Sequence, residues 1–342
     1  MYTLSLPEAL QMAEHIAVGQ NNPVMLWGPS GVGKTEGVNQ LAKRIDAFPW
    51  TVILGQYDSV DLKGYPGKDD KGFLSWCPAS TLPFVGNDAF PDDKIILLIL
   101  DEVNSASPPV FAVAYQLLQE GRIGEHSLKP NVRIVAMGNR ESDRGVVNRM
   151  PMPLNNRLVH AEVGVDVDAI CDYWSGVGIP PVAIAFHQFR SKTGNGLMHT
   201  FDPAKTDKAF ATPRSWEKAL RYYMADMPEN VKRAAIAGTV GDGPAAEFWG
   251  FVKVWQSVIP IATIIKDPMK AALPEEVSLQ YATAMHVSGN MSAKTVGPLH
   301  TYLKRIDSVF CVLAWQMAYK RDNSLVTTPE FVDFSKVYEV VF

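Results

Sequence analysis

Short apolar runs alternate with amphipathic stretches over the first half of the chain. Apolar runs short enough to be buried strands lie at 24–27, 51–54, 95–100, 132–137 and 158–163, and helical periodicity marks 1–15, 34–45 and 110–119. Strand-like runs that alternate with helical stretches are typical of βαβ units. The pattern therefore predicts an α/β fold with a mostly parallel five-stranded sheet and helices on both faces.

After residue 166 the strand-like runs disappear and helix-start signals follow one another. A capping Thr or Asp, or proline at the first helical position with acids in the first turn, recurs at 166–169, 180–181, 212–214, 228–229, 274–276 and 328–330. Glycines at 238, 241 and 243 predict a loop. The aromatic residues at helical spacing are interpreted as core packing: Trp249, Phe251, Trp255, Phe310 and Trp315. The second half is predicted to be all-helical.

Composition and charge exclude several classes of protein. The 342 residues suffice for two domains, and 32 Lys and Arg against 36 Asp and Glu give a net charge of −4, which argues against non-specific nucleic-acid binding. Cys77, Cys171 and Cys311 are too dispersed for a disulfide framework or a cysteine zinc site. The N-terminus lacks a signal-peptide pattern, and the apolar stretches at 95–100 and 254–265 are shorter than the roughly 20 residues of a membrane span. We expect a cytoplasmic protein.

A glycine-rich phosphate-binding motif follows the first apolar run. Residues 28–35 read GPSGVGKT, which fits G-x-x-x-x-G-K-[ST], and a helical stretch begins directly after them. In this arrangement backbone N–H groups and the helix N-terminus face an anion, the lysine reaches the β- and γ-phosphates, and the threonine hydroxyl binds Mg²⁺. The predicted nucleotide-binding residues are Gly28, Pro29, Ser30, Gly31, Val32, Gly33, Lys34, Thr35 and Glu36.

Two adjacent acids, Asp101 and Glu102, follow the apolar run at 95–100. The carboxyl end of a buried parallel strand is where open α/β sheets bind ligands. Asp101 is therefore predicted to hold Mg²⁺ together with Thr35, and Glu102 to polarise the attacking water.

Other nucleotide-using classes fit these motifs less well. The DLKG at 61–64 is similar to the D-x-x-G of GTPases, but the chain has no N-K-x-D to read guanine. DEVN at 101–104 is similar to a helicase box, yet the chain has one phosphate-loop domain and no basic second lobe. The L-S-G-G-Q signature of transporter ATPases is also absent.

In combination and in order, the motifs between residues 5 and 225 resemble the MoxR branch of the AAA+ ATPases, which carries an insert at helix 2. They are DEVNSASPP at 101–109, LLQEGR at 117–122, the run 132–139, and DLKG at 61–64 followed by GFLSWCP at 72–78. PLNNRL at 153–158 is similar to the branch's P-L-P-E-A-Q-L-D-R-F, shortened and with Asn156 for the usual Asp. TPR at 212–214 is similar to its S-P-R, and Ala79-Ser80 stands where the branch has Gly-Pro.

The resemblance implies roles for further residues. Asn139 matches sensor 1, which orients water or the γ-phosphate, and Arg214 matches sensor 2 at the head of a lid helix. Arg157 matches the arginine finger that reaches a neighbouring subunit's nucleotide, with Arg149 and Arg144 as alternatives in the same loop. These roles imply hydrolysis of ATP with Mg²⁺, in which Lys34 and Glu102 also act, by a homo-oligomeric ring, expected to be a hexamer.

The resemblance also implies a domain organisation and a protein client. An AAA+ α/β domain would span 1–165 and an α-helical lid 166–227, and an α-helical extension over 228–342, beyond the resemblance, is expected to serve docking or ring assembly. The insert at 57–85 and a hairpin at 121–130 would face the pore or the client. A partner with a von Willebrand A-type domain is the first to expect.

Two alternatives stay open. One is a nucleic-acid-acting motor of the same superfamily, against which the net charge of −4 argues. The other is a binding module that switches with nucleotide state and has negligible turnover, against which the intact Glu102 and Arg157 argue.

Overall fold

The computed structural model describes residues 2–68, 70–140, 152–202, 204–205 and 207–338. The chain divides into two compact units. The first comprises Met1–Ala169, Phe201–Thr206 and Thr212–Arg214, and the second comprises Ile170–Thr200, Asp207–Ala211 and Ser215–Phe342.

A six-stranded parallel sheet forms the centre of the first unit. In chain order, the strands of this unit are β1 (Thr3–Leu4), β2 (Val24–Trp27), β3 (Phe48–Ile53), β4 (Tyr65–Lys68), β5 (Leu74–Cys77), β6 (Ile96–Asp101), β7 (Arg122–Ile123), β8 (His126–Ser127), β9 (Val132–Gly138) and β10 (Val159–Val163). The spatial order of the sheet is β1-β10-β2-β9-β6-β3, and each neighbouring pair is parallel. The predicted α/β class is confirmed.

The sixth strand corrects the expected five. Thr3 and Leu4 pair with β10 at the edge of the sheet, in a segment for which we predicted helix. The helix starts only after Ser5, whose hydroxyl accepts the Glu8 N–H while the Glu8 carboxylate accepts the Ser5 N–H. The sequence pattern missed β1 because two residues are too few to show a strand period.

Helices cover both faces of this sheet. They are α1 (Leu6–Ala13, continued by a π-helical turn over Glu14–Val18), α2 (Lys34–Arg44), α3 (Ser59–Lys63), α4 (Pro108–Glu120) and α5 (Met152–Asn155). Residues 96–100 of β6 are buried because their side chains alternate between two cores. Leu97 and Ile99 pack with residues of α1 and α2, whereas Leu98 and Leu100 pack with residues of α4. Burial on both faces explains why this strand is an uninterrupted apolar run.

Two antiparallel hairpins, β4–β5 and β7–β8, add to the first unit. Composition alone predicted loops here, whereas the hairpin implied for residues 121–130 is present. The hairpins contact each other, since the Trp76 carbonyl lies 2.7 Å from His126 Nε2 and the Trp76 N–H donates weakly to Glu125 Oε1 at 3.5 Å. Phe73 and Leu74 on β4–β5 are among the most exposed apolar side chains of the described chain.

The GTPase-like sequence DLKG has a structural role at the base of β4–β5. The Asp61 carboxylate accepts the Asp58 N–H and caps α3, and Leu62 is buried. Gly64 has φ +86°, and a Cβ atom there would lie 1.8 Å from the Cys77 carbonyl oxygen. Only glycine allows this close approach of the two strands.

The second unit and the segments that lead into it are helical in the described residues. The helices are α6 (Val167–Gly176), α7 (Pro181–Lys192), α8 (Pro213–Met224), α9 (Glu229–Val240), α10 (Asp242–Gln256), α11 (Ile261–Lys266), α12 (Val277–Asn290), α13 (Val296–Leu303), α14 (Ser308–Arg321) and α15 (Pro329–Tyr338). Six of them begin at or just after the predicted start signals. The loop predicted at 238–243 is wrong, because Gly241 alone separates α9 from α10 and turns the chain with φ +93°.

Aromatic side chains form much of the interior of the second unit. Trp249, Phe251 and Trp315 are buried, as the core interpretation predicted, and Trp255 and Phe310 are half-buried. A further group centres on a buried histidine, His187, whose ring centroid lies 4.5–5.3 Å from those of Trp174, Phe186 and Trp216.

One stretch of the described chain, Asp242–Lys266, is long and apolar enough to pass a test for a membrane span by length and composition. Its helices α10 and α11 are interrupted between Gln256 and Ile261. The buried face of α10 includes Phe248 and Phe251, which contact Phe186 of α7. One face of α10 therefore packs against α7.

Candidate nucleotide-binding site

The site lies at the carboxyl edge of the parallel sheet, where three neighbouring strands end. The glycine-rich loop follows β2, Asn139 follows β9, and Asp101 with Glu102 ends β6. Because β9 lies between β2 and β6, Asn139 lies between the loop and the acids. The carboxyl edge of such a sheet is where α/β proteins bind ligands.

The glycine-rich loop needs its glycines for two reasons. Gly31 and Gly33 have φ of +80° and +94°, a region that favours glycine, and Gly33 precedes the first residue of α2. Gly28 lies so close to β10 that a Cβ atom would be 2.7 Å from the Val163 carbonyl oxygen. This geometry presents backbone N–H groups and the N-terminus of α2, which is a ready site for a phosphate group.

Lys34 and Thr35 begin α2 and have different partners. The Lys34 ammonium is buried and donates to the carbonyl oxygens of Gly28 and Pro29 at 2.8 and 3.0 Å. The Thr35 hydroxyl donates to Asp101 Oδ2 at 2.7 Å. The two residues predicted to bind Mg²⁺ are therefore in contact, although 66 positions separate them in the sequence.

Glu102 has an unusual backbone conformation and an exposed side chain. Its φ and ψ are 51° and 39°, the left-handed region that a non-glycine residue adopts at a cost of about 1–2 kcal/mol. Its N–H donates to Asp101 Oδ1 at 2.8 Å. The turn thus separates two adjacent acids, one facing Thr35 and one facing solvent, as different roles would require.

A buried amide that the sequence pattern does not reveal lies behind this edge. Asn104 donates from Nδ2 to the Asn139 carbonyl oxygen at 2.6 Å, and its Oδ1 accepts the Asn139 N–H at 3.2 Å. Asn104 was quoted only as part of the DEVN motif, and its burial is what the motif cannot show.

Arg214 is connected to the loop through its backbone. Its N–H donates to the Gly31 carbonyl oxygen at 3.1 Å, and a Cβ atom on Gly31 would lie 2.7 Å from Thr212 Oγ1. The Arg214 side chain is exposed at the start of α8. The position expected for sensor 2 therefore lies against the phosphate-binding loop.

Arg157 follows α5 and is exposed. The preceding helix is tied to the end of β2 by a histidine that the sequence analysis missed: Trp27 Nε1 donates to His160 Nδ1 at 2.9 Å, and His160 Nε2 lies 2.7 Å from the Asn155 carbonyl oxygen. Arg149 and Arg144, the alternatives for the finger, lie outside the described residues.

The residues present fit a magnesium ion bound with a nucleotide. A hydroxyl that donates its hydrogen to Asp101 keeps lone pairs on Thr35 Oγ1, and oxygen ligands are those that Mg²⁺ prefers. Within the described ranges, no group of three or more His, Cys, Asp or Glu side chains could hold a metal ion. The oxygen pair at this edge is consistent with a metal that takes its other ligands from water and phosphate.

A glycine-rich loop between a parallel strand and a helix, with an acid pair at the same sheet edge, defines the class of P-loop nucleotide-binding proteins. Residues 23–158 match the family model described as the AAA domain of the dynein-related subfamily. This part of the chain is therefore similar in sequence to AAA domains, and its fold is that of an AAA+ P-loop core. The comparison with curated proteins found no significant match.

Solved structures resemble the chain only distantly. NtrX from Brucella abortus in complex with ATP is 16% identical, with a TM-score of 0.38 over 99% of this chain and 68% of that one. A RuvB mutant from Thermotoga maritima is 15% identical, with a TM-score of 0.40 over 90% of this chain and 86% of that one. Since both TM-scores are below 0.5, the assignment stands on the AAA domain match and the geometry of the loop.

Proposed function

We propose that this chain is an ATP hydrolase of the MoxR branch of the AAA+ ATPases, which acts as a homo-oligomeric ring with sites shared between subunits and remodels or assembles a partner protein. The observation that carries the catalytic part is the hydrogen bond between Thr35 and Asp101. It brings the end of the phosphate-binding loop and the end of β6 to one point, where the γ-phosphate of a bound ATP would lie.

In this proposal each residue at the sheet edge has a separate task. Lys34 and the loop N–H groups bind the β- and γ-phosphates, and Thr35 with Asp101 holds Mg²⁺, which neutralises charge on the phosphates. Glu102 accepts a hydrogen bond from the attacking water and polarises it. Asn139, between the loop and the acids, orients that water or the γ-phosphate.

The remaining residues would connect the site to other parts of the assembly. Arg157, exposed after α5, is proposed to neutralise transition-state charge at a neighbouring subunit's nucleotide, an effect worth about 10³–10⁵ in rate. Arg214, whose N–H donates to Gly31, is proposed to read the phosphate state at the head of a lid over 166–227.

The contact surface for the client is proposed to be the β4–β5 hairpin. Tyr65, Phe73, Leu74 and Trp76 are all exposed there, by 40–75%. Exposed apolar side chains grouped on one short element are typical of interaction sites. The extension over 228–342 is proposed to serve docking or ring assembly. The proposed compartment is the cytoplasm, and the first partner to examine is one with a von Willebrand A-type domain.

The catalytic part is tested by steady-state release of phosphate from ATP with Mg²⁺, for wild type and for Glu102→Gln. We expect hydrolysis by wild type, loss of about 10²–10⁴-fold in the variant, and loss in wild type when the metal is chelated. Binding of a fluorescent ATP analogue should persist in Glu102→Gln, because the loop is intact. Equal hydrolysis by both proteins would contradict the assigned role, and binding without turnover in wild type would favour the nucleotide-switched module.

A further inference from the structure

We propose that Asn104 is a positioning residue that holds Asn139 and Glu102 in register for hydrolysis. The inference rests on the proposed function, and adds a residue that does not touch the nucleotide. Asn104 lies three positions after Asp101, in the 3-10 turn that follows β6. Its side chain is 1% exposed.

The first observation is the double hydrogen bond to one residue. Asn104 Nδ2 donates to the Asn139 carbonyl oxygen and Asn104 Oδ1 accepts the Asn139 N–H. An amide is the side chain that offers a donor and an acceptor side by side, as a backbone partner strand would. Asn104 therefore continues the β6–β9 ladder, which pairs as far as Leu100 and Ala136, by a side-chain bridge at the catalytic edge.

The second observation is the room made for this amide. Gly138 precedes Asn139, and a Cβ atom there would lie 2.8 Å from Asn104 Oδ1 and 2.7 Å from Met25 Cε. The φ of Gly138 is not in the left-handed region, so the backbone conformation does not demand glycine. Glycine is needed at this position because Asn104 and its neighbours leave no room for a Cβ atom.

The third observation is the turn between Asp101 and Asn104. Glu102 is held at φ 51°, and the Ser105 N–H donates to the Glu102 carbonyl oxygen at 2.9 Å. A strained conformation persists only where neighbouring contacts determine it. The bridge to Asn139 anchors the turn two residues after Glu102, so one amide sets the positions of both groups proposed to act on the attacking water.

This arrangement predicts a loss of rate without an equal loss of nucleotide binding. A misplacement of about 1 Å at reacting groups can cost about 10²-fold in rate. The phosphate-binding loop is held by its own contacts, among them those of Gly28, Lys34 and Thr212. We therefore expect Asn104 variants to bind ATP within about threefold of wild type while kcat falls.

The test compares Asn104→Asp and Asn104→Leu with the same changes at Asn131. Asn131 is a matched control, because its amide likewise makes two hydrogen bonds to the backbone, donating to the carbonyl oxygens of Pro91 and Lys94, but at the opposite end of β9. We expect kcat to fall about 10²-fold in both Asn104 variants, with the dissociation constant for a fluorescent ATP analogue nearly unchanged. The Asn131 variants should lower the urea midpoint while keeping kcat within about threefold of wild type.

Gly138→Ala tests the same bridge from the other side, by crowding Asn104 Oδ1. It should reproduce the fall in kcat. The inference would be overturned by an unchanged kcat in folded Asn104 variants, or by equal losses in kcat and nucleotide affinity. It would also be overturned if neither the Asn104 variants nor Gly138→Ala folded. If wild type itself does not hydrolyse ATP, or Glu102→Gln does not lower the rate, the proposed function fails first.

Discussion

His187 is a buried imidazole among aromatic rings. Both ring nitrogens lack a hydrogen-bond partner in the described chain, and burial lowers the pKa of His187 to about 3. A neutral, unpaired imidazole in the core costs free energy, because its polar atoms lose water without gaining partners. The second unit therefore contains a residue that opposes folding more strongly as the pH falls.

We predict that this histidine makes stability dependent on pH. The unfolded chain takes up a proton at His187 near pH 6.5, whereas the folded chain does so only near pH 3, so stability is lost as the pH falls between these values. From pH 7 to pH 5 the loss should be about 2 kcal/mol. Urea titrations of wild type and His187→Phe at pH 7 and pH 5 measure this loss of stability.

The free energy of unfolding of His187→Phe should change less between pH 7 and pH 5 than that of wild type, whatever its absolute value. His15→Gln, which removes an exposed imidazole, is the control and should keep the wild-type slope. A wild-type slope retained in His187→Phe would rule out His187 as its source.

Individual residues differ in how far the sequence reveals them. The pattern around Lys34 and Thr35 predicts a phosphate site, because the loop geometry is encoded by glycines a few positions apart. The hydrogen-bond partner of Asn104 is 35 positions away, and those of His160 are 5 and 133 positions away. No sequence motif around either residue indicates these contacts. These residues could be recognised only once the strands were in place.

Two glycines of the β4–β5 hairpin have similar positive φ angles but different surroundings. Gly64 and Gly72 have φ of +86° and +83°. A Cβ atom at Gly64 would overlap the Cys77 carbonyl oxygen, whereas at Gly72 it would meet nothing within 4 Å. The pair separates the cost of the backbone conformation from the cost of the close strand approach.

We predict that Gly64→Ala opens the hairpin and Gly72→Ala does not. Both changes strain the backbone by about 1–3 kcal/mol, but only the first also forces the strands apart. Hydrogen exchange of the β4 and β5 amides should become faster in Gly64→Ala, while Gly72→Ala keeps most of its protection. Equal protection in the two variants would show that the contact with Cys77 does not hold the hairpin.

Elements were predictable where a local signal begins or ends them. Helices such as α7, α9 and α15 begin at proline-containing signals, because proline favours the first turn of a helix. The strand β1 was not predicted, and the break between α9 and α10 was predicted as a loop over 238–243 rather than as the single residue Gly241. The strand depends on pairing with β10, and the break on one residue with positive φ rather than on a run of loop residues.

The proposed ring leads to a prediction that can be tested only with two kinds of subunit mixed together. If Arg157 acts on a neighbour's nucleotide, Glu102→Gln and Arg157→Ala subunits are each inactive alone but complement each other when mixed. In a random equimolar ring, about one quarter of the sites combine an intact glutamate with an intact arginine. We expect the mixture to recover up to about one quarter of the wild-type rate per subunit.

The control for this experiment is the mixture of Glu102→Gln with Lys34→Ala. Both changes damage residues of the same subunit's site, so mixed rings regain no complete site. Recovery in the control as well, or no recovery in the Arg157 mixture while rings still form, would contradict a site shared between subunits.

Sequence alone was sufficient for the α/β class, the parallel sheet, the helical second half and the glycine-rich loop between β2 and α2. Each of these depends on patterns within one segment: a buried run, a helix start or a glycine spacing. The tertiary structure decided what depends on distant segments, namely the sixth strand, the contact of Thr35 with Asp101, and the bridge from Asn104 to Asn139. The reason is physical, since hydrogen bonds between strands join residues whose separation in sequence has no fixed period.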